Sequence, residues 1–193
     1  RRSVLDMGCG SGILAIGARL LGFADVRGFD NDPDCRRVSE ENAALNGVSI
    51  PFALDDLAHA HPPADIVVAN ILAPVLIQFA PQVAASLAAG PRARLVVSGI
   101  LDEQYAAVRA AYAEAGTDAQ VFAFLDAMGG AFAAAAGNPV AAVSSLEALA
   151  RAAPVLIGCQ TQHTTTPLNV LFRISSACQD KCCSDTGNIH TFI

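Results

Sequence analysis

A doubly wound α/β fold, with a mostly parallel sheet between helices, is predicted by three features of the sequence. An apolar run, Val4-Leu5, ends in Asp6-Met7 and turns through three glycines at alternate positions, Gly8, Gly10 and Gly12. Apolar stretches too short for helices then alternate with helical stretches as far as Gly116, the pattern of βα units around a parallel sheet. The second of those stretches closes on Asp30, a carboxylate at the strand end where such sheets bind nucleotides.

The elements follow in order. Chain that bends as sharply as Gly8 to Gly12 needs glycine. Ile13 to Leu21 has helical content and closes at Gly22, so the loop should deliver unpaired N–H groups to a helix start. Such a corner suits a polar or anionic ligand group. Val26 to Phe29 reads as the second strand, and Asp30 at its carboxyl end can accept both hydroxyls of an adenosine ribose. Asp32-Pro33 is an N-cap with proline at the first helical position, and the helix that continues from Cys35 through Leu45 stops at Asn46-Gly47.

Ile50 to Leu54 makes a short third strand ending at Asp55-Asp56. Asp55 can accept the exocyclic amine of adenine, or the acid pair can simply cap the next turn. The histidines of His59-Ala60-His61-Pro62-Pro63 lack a third ligand nearby and read as solvated surface, not as a metal site. Asp65 to Ala69 is a buried-type strand running into Asn70-Ile71-Leu72-Ala73, with Asn70 on the same side of the sheet as the glycine loop. Pro74 to Leu87 reads as one helix, with Val75, Leu76, Phe79 and Val83 apolar, ended by Ala88-Ala89-Gly90-Pro91. Leu95 to Leu101 is the fifth strand. Asp102 to Ala115 is a helix carrying Tyr105, Val108, Ala111 and Tyr112 on one face.

Beyond residue 117 the alternation stops. Phe122 to Ala136 is alanine-rich and broken by Gly129-Gly130, and Ser144-Ser145-Leu146-Glu147 could cap a short helix to Ala153. Val155 to Ile157 and Leu168 to Phe172 have strand composition, and Cys178, Cys182, Cys183 and His190 match no zinc spacing. The expected organisation is a ligand-binding domain over residues 1–117 and a tail over 118–193 of unknown structure, which could either complete the sheet or fail to finish it.

The ligand class follows from the spacing. A nicotinamide dinucleotide fingerprint wants its third glycine three places after the second, where this chain has Ile13. A carboxylate at Asp6 would also repel a pyrophosphate, whereas the ammonium group of S-adenosylmethionine would welcome it. The pocket therefore reads as one for S-adenosylmethionine, and the chain as a methyltransferase.

Bulk properties narrow the setting. A chain of 193 residues holds one ordinary domain with an appendage. Although 53% of residues are apolar, no run reaches the roughly 18 residues of a spanning helix, and no signal-peptide layout precedes the first strand. A soluble, cytoplasmic protein without membrane contact is expected. The net charge of −6, with no basic stripe, argues against direct nucleic-acid binding and for a basic protein substrate. Of the six cysteines, Cys9 and Cys35 fall in the ligand-binding part. Cys9 reads as a small residue filling a tight turn, and the oligomeric state has no signature.

Taken together, Val4 to Ile16, Gly28-Phe29-Asp30-Asn31-Asp32-Pro33, Glu41-Asn42-Ala43, Asn46-Gly47, Asn70-Ile71-Leu72-Ala73 and Ser98-Gly99-Ile100-Leu101 resemble the ribosomal protein L-eleven methyltransferases. The glycine block is common to class I methyltransferases; the Asn-Ile-Leu-Ala and Ser-Gly-Ile-Leu pair in this order is more particular to that family. The resemblance covers roughly residues 2 to 116 and implies a Rossmann-like class I methyltransferase sheet.

It further implies S-adenosylmethionine on Gly8, Gly10 and Gly12, its ribose on Asp30, and an acceptor amine beside Asn70. The acceptors in that family are lysine side chains and the terminal α-amine of a large-subunit ribosomal protein. A lysine of pKa about 10.4 is neutral about once in a thousand at neutral pH, a deficit of about 4 kcal/mol, which desolvation and a nearby sulfonium would reduce. On this reading the Asn70 side-chain oxygen and the Ile71 carbonyl orient the amine, and no strong protein base is needed; Asn70 could instead serve as a strand-end cap. The family also carries an amino-terminal recognition domain and ends in an antiparallel strand pair, neither of which this sequence resembles, and Pro74 stands one place early. A truncated enzyme is expected, or a non-catalytic cofactor-binding fragment.

Overall fold

The computed structural model describes residues 2–91, 93–116 and, as backbone, 120–125. Six parallel strands form one sheet in the order β3-β2-β1-β4-β5-β6. They are β1 (Ser3–Met7), β2 (Asp25–Asp30), β3 (Phe52–Leu54), β4 (Ile66–Asn70), β5 (Arg94–Ile100) and β6 (Gln120–Leu125). The helices are α1 (Ile13–Leu20), α2 (Pro33–Leu45), α3 (Ala73–Gln78), α4 (Ala80–Ala85) and α5 (Tyr105–Glu114). This is a doubly wound, Rossmann-like sheet.

Alternation along the central strands builds a core on each face. Val4, Ile66, Val68 and Val96 pack with Leu14, Ile16 and Ala18 of α1. Leu5, Met7, Val67, Ala69, Leu95 and Val97 pack with Leu76 of α3, Val83 of α4 and Val108 and Tyr112 of α5. Leu76 alone, wholly buried, contributes about 2 kcal/mol by leaving water.

The α2 boundaries agree with the sequence: the Asp32 side chain accepts the Asp34 N–H, and Pro33 stands in the first turn. Two other helices differ. The expected helix over Pro74 to Leu87 is divided into α3 and α4 at Phe79. Pro81 has no N–H for the carbonyl one turn back, and its ring excludes that carbonyl, so the chain restarts with proline in the first turn of α4. The segment expected to be helical from Asp102 begins instead as a 3₁₀ turn over Asp102–Gln104, a tighter form common at helix starts.

β6 lies in the segment assigned above to the tail. It pairs parallel with β5 and extends the sheet at that edge. The remaining expectations about the tail, including its cysteines and His190, fall outside the described residues.

Candidate functional site

The strand order reverses between β1 and β4: the chain leaves β1 for β2 on one side and returns to β4 on the other. Ligands of this architecture sit in the crevice at the carboxyl ends of the strands at that point. Met7 is level with Ala69, so Gly8 and Asn70 emerge side by side.

Gly8, Gly10 and Gly12 adopt positive φ of 66°, 53° and 78°, a conformation that side chains disfavour. Gly8 has a second reason to be glycine: a Cβ there would lie 2.6 Å from Ile71 Cγ2. The glycine loop and the Asn70-Ile71 corner are thus in direct contact. On the other side of that corner stands Gly99, at φ 78°, where a Cβ would lie 2.6 Å from Asn70 Oδ1. The pairing of β5 with β6 shifts register between Ser98 and Ile100, so β5 bulges at the residue that makes room for the Asn70 carboxamide. Asn70 itself is exposed at the tip of β4. These contacts give a physical reason for the Asn-Ile-Leu-Ala and Ser-Gly-Ile-Leu segments to occur together.

Asp30 ends β2 with 9% of its surface exposed. One carboxylate oxygen accepts the Gly10 N–H at 2.9 Å and the other accepts the Asp32 N–H at 3.0 Å. The acid therefore ties the glycine loop to the strand tip, and a carboxylate with about four acceptor sites still has room for two ligand hydroxyls.

Asp6 lies under the loop. It is 1% exposed, and its carboxylate accepts the Ala15 N–H at 3.0 Å. Ala15 is the third residue of α1, whose own N-cap, Gly12, has no side chain to offer, so Asp6 caps the helix from the neighbouring strand. Burial raises its pKa to about 7, opposed by the bond from Ala15 and assisted by the nearby Asp30 charge. Val4 and Asp6 point to the α1 face of the sheet, so Asp6 lies beneath the loop.

The loop N–H groups are less free than expected. Cys9 N–H donates to the Phe29 carbonyl, Gly12 N–H to the Cys9 carbonyl and Gly10 N–H to Asp30. The loop is a cradle held to the end of β2 by two of these bonds and to itself by the third. Asn42 of α2, buried, donates to the Ser11 carbonyl at 2.9 Å and supports the cradle from behind, a role no sequence signal assigned to it. Cys9 fills the turn as expected; burial foremost, then the Asp6 and Asp30 charges, pushes its thiol pKa up, which leaves it protonated and poorly nucleophilic.

At the β3 tip the Asp55 N–H donates to the Asp30 carbonyl at 3.0 Å, so the two acids stand on adjoining strand ends. Asp55 Oδ1 accepts the Asp56 N–H and contacts His59 Nδ1 at 2.5 Å. These bonds hold the Asp55 pKa below the ordinary carboxylate value and raise that of His59. Asp56 in turn accepts the Ala58 N–H, so the turn-capping alternative describes this acid pair as well.

One expectation fails here. His61 is not solvated surface: its side chain is 6% exposed, its ring stacks on Phe29 at 4.0 Å between centroids and 11° between planes, and Nε2 donates to the Asp56 carbonyl at 3.0 Å. The apolar face of Phe29, uncovered by any helix between β3 and β4, recruits the ring.

A family model described as ribosomal protein L11 methyltransferase (PrmA) matches residues 1–123. The chain is similar to the ribosomal protein L11 methyltransferase of Azotobacter vinelandii, with 52% identity over 58% of this chain and 38% of that protein. Similarity to the protein of that name from Geobacter sulfurreducens is 47% over 58% of this chain and 37% of the relative. Among solved structures it is similar to the ribosomal protein L11 methylase of Lactobacillus delbrueckii subsp. bulgaricus, with a TM-score of 0.55 and 38% identity over 59% of each chain. The chain spans about two fifths of the length of the curated relatives it matches. The glycine cradle, Asp30, Asp55 and the Asn70-Ile71 corner all lie inside the matched span, and the chain belongs to the ribosomal protein L11 methyltransferase family.

Proposed function

We propose that this chain binds S-adenosylmethionine in the crevice between β1 and β4 and forms the methyl-transferring domain of a cytoplasmic protein N-methyltransferase. Its substrates on this reading are amines, lysine side chains and the terminal α-amine, of a large-subunit ribosomal protein. The observation that carries the proposal is the contact of Gly8 with Ile71, which brings a nucleotide cradle and an exposed amide to one place.

The residues fit the cofactor. Gly10 leaves open space that a side chain would fill, Gly8 and Gly12 let the loop sit close against Ile71 and Ser39, Asp30 has acceptor capacity for a ribose, and Asp55 offers a carboxylate oxygen to adenine. Asp6 acts from beneath, through its charge and by fixing α1 against the cradle. The bound cofactor supplies a methyl group already activated on sulfonium. Asn70 Oδ1 and the Ile71 carbonyl accept hydrogens of the incoming amine and orient its lone pair. Loss of water as the amine docks beside the sulfonium charge favours its uncharged form, so alignment and desolvation do the work that a strong base would otherwise do.

A second reading is a cofactor-binding unit without transfer activity. Isothermal titration with S-adenosylmethionine on the parent and on Asp30→Ala tests the cofactor assignment. Loss of charge-assisted bonds worth about 1.5–3 kcal/mol each should weaken binding by about a hundredfold or more; equal affinity would remove the ribose assignment. Methyl transfer to the isolated ribosomal protein separates the two readings, since a fragment binds cofactor and transfers nothing.

A further inference from the structure

We propose that His61 is a positioning residue for the adenine end of the crevice, holding the β3 tip so that Asp55 Oδ2 selects a base bearing an exocyclic amine. The inference rests on the adenosyl-cofactor reading above and adds to it a residue that touches no ligand.

Between β3 and β4 the chain crosses the sheet without a helix, so the face of β2 that carries Arg27 and Phe29 would be open. Residues 61–63 close it. His61 stacks on Phe29, and Arg27 Nη2 donates to the carbonyls of Pro62 and Pro63. His61 therefore bears on the residue immediately before Asp30. From the same ring Nε2 donates to the Asp56 carbonyl, and Nδ1 stands 3.8 Å from Asp55 Oδ2. One side chain thus spans both strand tips that would face an adenosine.

The consequence falls on Asp55. Its Oδ1 is taken by His59 and the Asp56 N–H, whereas Oδ2 has no hydrogen bond among the described residues and is the oxygen left for a ligand donor. His59 is an unsuitable anchor, because its side chain is 68% exposed. His61 is buried, and removing its ring releases the loop from Phe29 and frees the Asp55-Asp56 turn to rotate. A site built to accept a hydrogen bond rejects a ligand that lacks the donor far more strongly than it rejects a change of size, so the role of His61 should show as selectivity.

The test titrates the full chain with S-adenosylhomocysteine and with S-inosylhomocysteine, whose exocyclic amine is replaced by a carbonyl. The parent should prefer the adenosyl ligand by about tenfold or more. His61→Phe, which keeps an aromatic ring on Phe29 but loses the bond to Asp56, should cut that preference to about threefold or less while melting near the parent temperature; His61→Ala should abolish it. A purely structural role would weaken both ligands equally and leave the ratio intact, and that result overturns the inference. A parent that binds both ligands equally overturns it through Asp55. A parent that binds neither overturns the cofactor reading itself.

Discussion

The corner between β1 and α1 and the crossover between β3 and β4 each place a carboxylate near a strand's carboxyl end, with opposite electrostatic results. Asp6 is sealed under the glycine cradle, and desolvation raises its pKa to about 7. Asp55 sits half-buried among His59, His61 and a backbone N–H, and its pKa falls. Hydrogen bonds to the charged form lower the one; the loss of water dominates for the other, since a single bond from Ala15 does not replace a hydration shell. The lesson is that the glycine corner sacrifices stability to keep an acid inside a rigid cradle. The crossover gains its order from polar contacts at the surface.

The largest expected effect tests the buried half of this contrast. An acid whose native pKa lies above its unfolded value of 3.8 binds its proton more tightly when folded. Its influence on stability is therefore most favourable below about pH 4, declines as pH rises to about 7 and is flat beyond. The full span is at most about 4 kcal/mol. Asp6→Asn keeps an oxygen for the Ala15 N–H and has no charge to desolvate, so denaturant melts at pH 8 should find it more stable than the parent, with the gap closing toward pH 4. A less stable variant at pH 8 would mean that the charged cap on α1 outweighs burial, and the contrast would break. Affinity for S-adenosylmethionine should fall in the same variant, because the negative charge beneath the cradle is gone.

A smaller effect tests the rigidity of the corner. Gly8→Ala forces a side chain to φ 66° and into Ile71 Cγ2, a strain of about 1–2 kcal/mol before Ile71 moves. Thermal melts should register that loss, and titration should show cofactor binding weakened by about tenfold. An unchanged affinity would show that the loop yields to Ile71 and is no rigid cradle. The smallest effect concerns the crossover. The His59 pKa is raised by Asp55, so the ion pair is complete from about pH 4 to 6.5 and fades as pH climbs through the raised His59 value. In Asp55→Asn an NMR titration of the His59 ring should move back toward 6.5; a titration that stays raised would assign the shift to another partner.

Much of this architecture is legible along the chain, and the unequal ease of reading has physical causes. The α2 helix could be bounded to the residue because Asp32-Pro33 and Asn46-Gly47 act on backbone groups within one turn. The break at Phe79 was equally local, but the apolar spacing of Val75, Leu76, Phe79 and Val83 continues across it and conceals Pro81. Asp30 was recognisable as a strand-tip acid, whereas its bond to the Gly10 N–H was not, because it joins two loops. Asn42 stands in a segment that resembles the family and His61 in a proline-bearing loop, yet neither position reveals its partner. Their partners, the Ser11 carbonyl and the Phe29 ring, are remote in sequence, and neither residue type announces which buried group it will satisfy.

Short-range chemistry by itself determined the alternation of strands and helices as far as α5, the glycine corner and the placing of Asp30, Asp55 and Asn70 at strand tips, because turn geometry and hydrophobic period act over a few residues. Only the tertiary structure decided that Asp6 would be buried as a cap on α1, that Gly8 and Gly99 would flank Ile71 and Asn70, and that His61 would leave the solvent for Phe29. Those outcomes depend on register between strands and on which face of the sheet lacks a helix, and both are settled only when distant segments pack.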